Sequence, residues 1–399
     1  MTPPLRFIGL TLLSGVLLPP IASSQIANHS EDDALTAATL ALCHREVVML
    51  GESATHGDGH TEAFKVALVQ RLVNQCGFDS VFFEASHYEF IHIAQEVRAG
   101  QSISTAQLST GVGGLWKFDQ EFQPLLPFLV AKLQSGQIAV GGIDDQLGQL
   151  GQDYANLQMV ADLTALLPRP QAQDCSIALH RRIDSDYSET SPYSKADQSK
   201  MNTCLAQIQH AVATSEASNR LTREDREEMV SAFQRWIARD FASDADQIVG
   251  RDRSMFQNFE WLRSQQTRRR KVIVWAATVH IAKQADPTWG DRTGTNFGSF
   301  VHQKYGARAF SLGFSALSGS FRKGRHDIQQ TPAAPPDALE TRALQGTSAD
   351  AVFVPSSQLA TMGTLPGAIF RHAYQTLNWA AFLDGVMVFR QERPPTSTR

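Results

Sequence analysis

The stretch EVVMLGESATHG, residues 46–57, decides the fold, because a short apolar run ends abruptly in glycine and polar side chains. A run of this length and composition is typical of a buried strand. Residues 61–75 follow with apolar side chains at helical spacing, and Ser80–Phe83 bring a second apolar run. A strand, a helix and another strand in this order predict a parallel sheet with a crossover helix.

The same alternation continues outward along most of the chain. The strand candidates are Glu46–Leu50, Ser80–Phe83, Ile138–Ile143, Val272–Ala276, Ala309–Leu312 and Val386–Phe389. Amphipathic stretches separate most of them. We therefore predict an α/β fold, with a mostly parallel sheet flanked by helices and a helical insertion or subdomain.

The middle of the chain supplies that subdomain, because residues 154–249 contain helical patterns and no convincing strand. The predicted α/β core then consists of residues 25–153 and 250–399. Residues 323–350 contain several prolines and polar side chains, and we interpret them as a mobile loop.

The N-terminus predicts export. Arg6 is followed by an apolar stretch over residues 7–18 and by the small residues 22–24. A basic start, a short apolar segment and small residues describe a signal peptide, here residues 1–24, cleaved near Gln25. The apolar stretch is shorter than the ~20 residues that span a bilayer. We expect a periplasmic or secreted protein with no stable membrane insertion after cleavage.

The chain has four cysteines, which in an exported protein indicate two disulfides with three possible connectivities. Cys43 and Cys76 each lie a few residues before a predicted strand. If those strands are neighbours in a parallel sheet, these two cysteines lie at the same end of it. Cys175 and Cys204 would then form the second pair.

Charge and missing motifs exclude several classes of function. The 36 Lys and Arg against 40 Asp and Glu give a formal charge of −4, which provides no basic field for nucleic acid. The sequence lacks a G-x-S-x-G elbow, an H-E-x-x-H helix, a P-loop and a dinucleotide fingerprint. We therefore predict neither an ordinary serine hydrolase nor a zincin, and neither a nucleotide nor an NAD enzyme, and we assign no cofactor.

Polar residues follow the predicted strands at their carboxyl ends. Glu52 and His56 follow the first strand, Glu84 ends the second, and His280 comes four residues after Ala276. Ligands of open parallel sheets bind beyond these strand ends, so we expect the four side chains to meet at one rim. A histidine and carboxylates from separate strands are the groups from which a general base and its orienting partner are built.

The histidines also allow a different interpretation. Residues 56–60, HGDGH, contain the metal donors His56, Asp58 and His60, although the two glycines indicate a loop rather than one helix face. A metal- or haem-binding protein built around His56 and His60 is therefore an alternative.

Several motifs in order resemble the erythromycin esterase family over most of residues 45–320. They are LGESATHG at 50–57, CGF at 76–78 with FEA at 83–85, GID at 142–144, RDRSM at 251–255 and VWA at 274–276 with HI at 280–281. The resemblance implies an α/β sheet with a helical subdomain and metal-independent hydrolysis of a macrolactone ester. It also implies that His56 is the general base that activates water. Glu52 and Glu84 would orient and polarise the base, and His280 would help to stabilise the oxyanion.

Three differences from the family pattern bear on the substrate. Three residues rather than two separate Glu52 from His56, which turns Glu52 away unless the loop bulges. Ala277 replaces the first histidine of the family's W-A-H-N-x-H motif, and Lys65 stands where the family often has arginine. The predicted substrate is therefore a small-molecule ester or lactone that need not be a macrolide. A non-catalytic periplasmic ligand-binding protein, with turnover lost through Ala277, is the other alternative.

Overall fold

The computed structural model describes residues 22–148, 152–184, 190–214, 222–266, 271–288, 294–324 and 326–398. Residues 1–21 of the predicted signal peptide lie outside this range, so its presence and cleavage stay a prediction. Among the helices of the described part, none is long and apolar enough to cross a membrane.

A seven-stranded sheet forms the centre of the molecule. The strands of the described chain are β1 Val47–Leu50, β2 Phe78–Ser86, β3 Ala139–Asp144, β4 Lys271–Trp275, β5 Ala309–Ala316, β6 Ser320–Lys323, β7 Asp327–Gln330, β8 Ala351–Pro355, β9 Thr364–Gly367, β10 Gln375–Asn378 and β11 Gly385–Phe389. The central sheet has the order β3-β2-β4-β1-β5-β11-β8. Only its β11–β8 pair is antiparallel, which confirms the predicted α/β class. Two hairpins, β6–β7 and β9–β10, lie outside it.

Helices cover both faces of this sheet. They are α1 Ala22–Leu42, α2 Gly59–Cys76, α3 His87–Arg98, α4 Thr105–Val112, α5 Leu125–Gln134, α6 Met159–Thr164, α7 Arg169–Ile183, α8 Lys195–Thr214, α9 Arg223–Ala238, α10 Asp244–Ser264, α11 Thr278–Ile281, α12 Phe297–Tyr305, α13 Leu339–Ala343 and α14 Ser356–Met362. Val48 and Leu50 of β1 pack in one apolar cluster, while Val47 and Met49 pack in another. Burial on both faces explains why β1 is continuously apolar rather than alternating.

Each of the six predicted strands has a counterpart in the sheet, with ends that differ by up to four residues. The predicted mobile loop at 323–350 is wrong. The segment contains β7 and α13, and Leu339 and Glu340 of α13 are fully buried. Strand β7 has the polar sequence DIQQ, and α13 has only five residues. Neither element is long or periodic enough to produce an apolar pattern.

The described part of residues 154–264 is largely helical. Its apolar side chains, among them Met159 and Phe233, form a third cluster that also takes in Tyr88 and Ile91 of α3. Helix α10 crosses the proposed boundary at residue 249 and packs against β3. The division of the chain into domains stays a prediction.

Both expected disulfides are present, with Cα separations of 4.9 Å for Cys43–Cys76 and 5.4 Å for Cys175–Cys204. The assumption that β1 and β2 are neighbours was wrong, because β4 lies between them. The first disulfide instead passes the amino end of β4. There the Lys271 ammonium group donates hydrogen bonds to the carbonyl oxygens of Cys43 and Cys76.

Candidate active site

The loop after β1 brings His56 back to Glu52. The Nδ1 atom of His56 lies 2.6 Å from the Glu52 carboxylate. His56 has φ 51°, a left-handed conformation that few residues other than glycine adopt. This sharp bend accommodates the additional residue of the loop, so Glu52 is not turned away.

Glu52 is a buried carboxylate that four side chains hold in place. Besides His56, Lys65 donates to it at 2.6 Å, Trp116 at 2.8 Å and Trp275 at 3.1 Å. Burial raises the pKa of Glu52, but the charge of Lys65 and the hydrogen bond with His56 outweigh burial and leave that pKa below its ordinary value. Lys65 therefore supplies the positive charge for Glu52, as a point charge rather than the planar fork that an arginine would provide.

His56 is oriented for proton transfer. A hydrogen bond from Nδ1 to Glu52 fixes the tautomer in which Nε2 carries the free lone pair. Burial lowers the pKa of His56, but its hydrogen bond with Glu52 and the charges of Glu84 and Glu52 outweigh that effect and raise the pKa above 6.5. The imidazole is thus a stronger base than a free histidine.

Glu84, at the end of β2, is the centre of a second buried group. One of its oxygens lies 3.0 Å from a guanidinium nitrogen of Arg251 and 3.3 Å from Nε2 of His280. The other oxygen accepts from the backbone N–H of Ala277 at 2.8 Å. Burial raises the pKa of Glu84, yet the charges of His280, His56 and Arg251 hold it well below the ordinary value.

His280 lies between two carboxylates. Its Nδ1 is 2.7 Å from Asp252, while its Nε2 faces Glu84. Burial lowers the pKa of His280, but Asp252 and Glu84 raise it to about 10. His280 is therefore a cation at neutral pH and cannot act as a base there. Arg251 completes this group by binding Asp144, with Nε 3.0 Å from the carboxylate.

All four predicted site residues are thus close together, as two pairs. Glu52 binds His56 directly, and Glu84 binds His280 directly. The charge of Glu84 contributes to the raised pKa of His56, which makes the two pairs one electrostatic unit. The catalytic roles of these residues remain predictions.

His56 opens onto a cavity of about 510 Å³. Three segments wall this cavity: the loop that contains Leu115 and Asp119, the β6–β7 hairpin with Arg322 and His326, and the C-terminal segment with Ser397 and Thr398. His56 therefore lies at the wall of a cavity large enough for a small molecule.

The alternative metal or haem site has no support in this geometry. His60 lies 2.9 Å from the carbonyl oxygen of Gln391 and 3.3 Å from Glu31, whereas His56 binds Glu52. The side chains of the HGDGH motif thus have separate partners. Within the described ranges, no group of three or more His, Cys, Asp and Glu side chains could hold a metal ion.

Sequence reasoning missed several partners of the site. Arg251 and Asp252 are part of a quoted motif, but nothing in their spacing indicated that they bind Glu84 and His280. Trp116 lies in a loop far from Glu52 in sequence. A tryptophan, an arginine and an aspartate far apart in the sequence are weak signals, and only the fold brings them to one site.

Comparison with known proteins identifies a family and a named relative of the chain. The model of the erythromycin esterase family matches residues 73–364, which include Glu84 and His280 and leave out the loop with Glu52 and His56. A protein of Bacillus subtilis (strain 168), named "Putative hydrolase YbfO", is 20% identical over 333 residues, covering 78% of this chain and 74% of that protein.

Two solved structures share the fold. A Bacillus cereus protein has a TM-score of 0.70 at 16% identity, covering 95% of this chain and 100% of the other. A mutant of the erythromycin esterase EreC in its open conformation has a TM-score of 0.64 at 14% identity, covering 91% of this chain and 95% of the other.

Proposed function

The chain belongs to the erythromycin esterase family, and from this membership and the geometry of the site we propose that it hydrolyses an ester or lactone with water activated by His56. The family and the similarity to a named hydrolase support the general reaction class. The observation that carries the specific proposal is the Glu52–His56 pair, 2.6 Å apart, at the wall of a small-molecule-sized cavity.

In the proposed reaction, Nε2 of His56 takes a proton from water while the water oxygen attacks the carbonyl carbon. Glu52 and Glu84 stabilise the imidazolium that forms, because both carry negative charge near His56. The imidazolium then returns the proton to the alkoxide as the carbon–oxygen bond breaks. General base and acid catalysis by one positioned group contributes roughly 10²–10⁴-fold.

The oxyanion needs positive charge as the carbonyl is attacked. We assign this role to the charges of His280 and Arg251, both cations beside Glu84. Neither is among the described residues that line the cavity, so their charges would act on the oxyanion over a distance and not through a hydrogen bond. Asp252 holds His280 through Nδ1 and is a positioning residue. Since the pKa of His280 is about 10, its charge persists at neutral pH.

An ester screen tests the proposal. Purified protein is incubated with simple aryl esters and with lactones of increasing ring size, with and without a chelator. We expect hydrolysis of at least one ester or lactone, and no effect of the chelator, because the proposed steps use only side chains. Activity that disappears with the chelator would refute the metal-free mechanism, whereas the same rate with and without the chelator would support it.

One observation favours a second function, a ligand-binding protein without turnover. Ala277 occupies the position of a family histidine, and only its backbone N–H contacts Glu84. Under this alternative a lactone binds, as seen by calorimetry, and is recovered intact after long incubation with the protein.

We also propose that the protein is exported. Disulfides persist in oxidising compartments, and the structure has two of them. The leader-like residues 1–24 agree with this. Mass spectrometry of protein recovered from the periplasm should show a mature chain that begins near Gln25. A chain that retains Met1 and free thiols would contradict export.

A further inference from the structure

The C-terminal segment, Gln391–Thr398, walls the cavity beside His56. We propose that Ser397 and Thr398 set the size limit of the substrate, so that the site accepts a small uncharged ester and excludes a bulky macrolactone. This inference rests on the proposed hydrolase function and adds its substrate class.

A buried carboxylate anchors the segment. Glu392 accepts hydrogen bonds from the backbone N–H of His60 and the hydroxyl of Thr61, both at 2.7 Å. The carbonyl of Arg393 accepts from the N–H of Gly59 at 2.7 Å. A side chain at Gly59 would place its Cβ 2.7 Å from the Cα of Pro395, so glycine permits this close approach. The segment is thus fixed to the start of α2, a few residues beyond His56.

The end of the segment is then paired with the loop at residues 118–121. The carbonyl of Thr396 accepts from the N–H of Gln120 at 2.8 Å, and the N–H of Thr398 donates to the carbonyl of Phe118 at 2.5 Å. The N–H of Thr396 also donates to the Glu121 carboxylate at 2.8 Å. Backbone pairing on both sides of Ser397 makes this part of the wall a fixed boundary.

The β6–β7 hairpin forms another wall of the cavity. The Arg322 guanidinium grips Asp119 through two hydrogen bonds of 2.5 and 2.7 Å. The N–H of Arg322 donates to the carbonyl of Gly57 at 2.9 Å. A Cβ at Gly57 would lie 1.8 Å from the carbonyl oxygen of Arg322, so only glycine allows the hairpin to reach the His56 loop.

The lining indicates the chemistry of the substrate. Among the described lining residues, the carboxylate of Asp119 and the guanidinium of Arg322 neutralise each other. Leu115 and Phe118 contribute apolar surface, and Ser397 and Thr398 contribute hydroxyl groups. A volume of about 510 Å³ is in the middle of the range for small-molecule sites. These features fit an uncharged ester with a short apolar group.

Two variants change the wall in opposite directions. Deleting residues 397–399 removes the part of the C-terminal segment that lines the cavity and keeps Thr396. Ser397→Trp instead narrows the cavity. We measure kcat/KM for p-nitrophenyl acetate, butyrate and octanoate. The deletion should raise the octanoate-to-acetate ratio about tenfold or more, and Ser397→Trp should lower the butyrate-to-acetate ratio about tenfold. Ser199→Trp, the same change at an exposed position on α8, should leave both ratios unchanged.

A second measurement does not depend on hydrolysis. Diethyl pyrocarbonate modifies accessible histidines, and mass spectrometry gives the rate at His56 relative to the exposed His210. The deletion should speed labelling of His56 severalfold, and Ser397→Trp should slow it. A wild-type protein that hydrolyses no ester would refute the proposed function alone. Unchanged labelling rates, or unchanged substrate ratios in an active enzyme, would overturn the role of the segment.

Discussion

Replacing His56 with alanine should lower kcat by about 10²-fold or more, because positioned base catalysis is lost. Glu52 keeps its hydrogen bonds from Lys65, Trp116 and Trp275, so the buried carboxylate remains paired and the fold should survive. The measurement is steady-state hydrolysis of the best ester from the screen, with circular dichroism to verify folding. His210→Ala, at an exposed position on α8, is the matched control and should retain full activity.

The pH dependence of the wild type gives an independent check of the same base. His56 must be neutral to accept a proton, so the rate should rise with pH through its pKa. Glu52 and Glu84 outweigh burial and raise the pKa of His56 above 6.5. The rate should therefore rise at a higher pH than it would for a free imidazole. His56→Ala should lose this limb together with most of kcat. Activity that persists in the variant with an unchanged pH profile would show that another group is the base.

The sequence was sufficient for six of the seven strands of the central sheet and for the rim at which the candidate residues meet. Strands such as β1 and β4 are buried on both faces, so they appear as continuous apolar runs. Parallel pairing then places their carboxyl ends at one edge, which is why Glu52 and Glu84 could be assigned to one rim. The hairpin β6–β7 was missed because its short, partly exposed strands lack such runs. The antiparallel edge strand β8 was missed although its sequence, AVFVP, is apolar, because no strand was assigned directly after the proline-rich stretch.

The partners within the site could not be predicted, because they come from distant parts of the chain. Asp252 contacts His280 across 28 residues, Arg251 contacts Glu84 across 167, and Trp116 contacts Glu52 across 64. Periodicity reports which face of an element is buried, but it does not report which elements meet. Only the order of strands in the sheet and the path of α10 beside β3 bring these groups together.

The loss of Lys65 should strongly destabilise the fold. Both Lys65 and Glu52 are buried, with side-chain exposures of 0% and 4%. Lys65→Met keeps a similar length but leaves the Glu52 charge without its cation. Removing one partner of a buried ion pair costs about 3–5 kcal/mol. Guanidinium-induced unfolding at neutral pH should show a loss of this size in the free energy of unfolding.

Two further variants separate the buried charge from lost packing. Lys304→Met removes an exposed lysine that pairs with Glu260, and it should cost about 1 kcal/mol or less. The double variant Lys65→Met with Glu52→Gln removes both buried charges and should recover much of the stability lost in Lys65→Met. If Lys65→Met costs no more than Lys304→Met, Glu52 is not held as a buried carboxylate.

The pH dependence of stability follows from the same pair. The pKa of Glu52 is lowered from 4.5 on folding, mainly because Lys65 and His56 outweigh the opposing effect of burial. Its ionisation therefore stabilises the fold at pH values above 4.5, and this contribution is lost as pH falls through the lowered pKa. Without Lys65 the effect of burial dominates, so the pKa of Glu52 should rise above 4.5 and its ionisation should then destabilise the fold. Lys65→Met should therefore regain stability as pH falls through that raised pKa, a range in which the wild type keeps the full contribution of Glu52. A protonated Glu52 no longer stabilises the His56 imidazolium, so the pH at which Lys65→Met regains stability should also mark a loss of basicity at His56. Unfolding curves and rates measured over the same pH series would therefore link the stability of this buried pair to the strength of the proposed base.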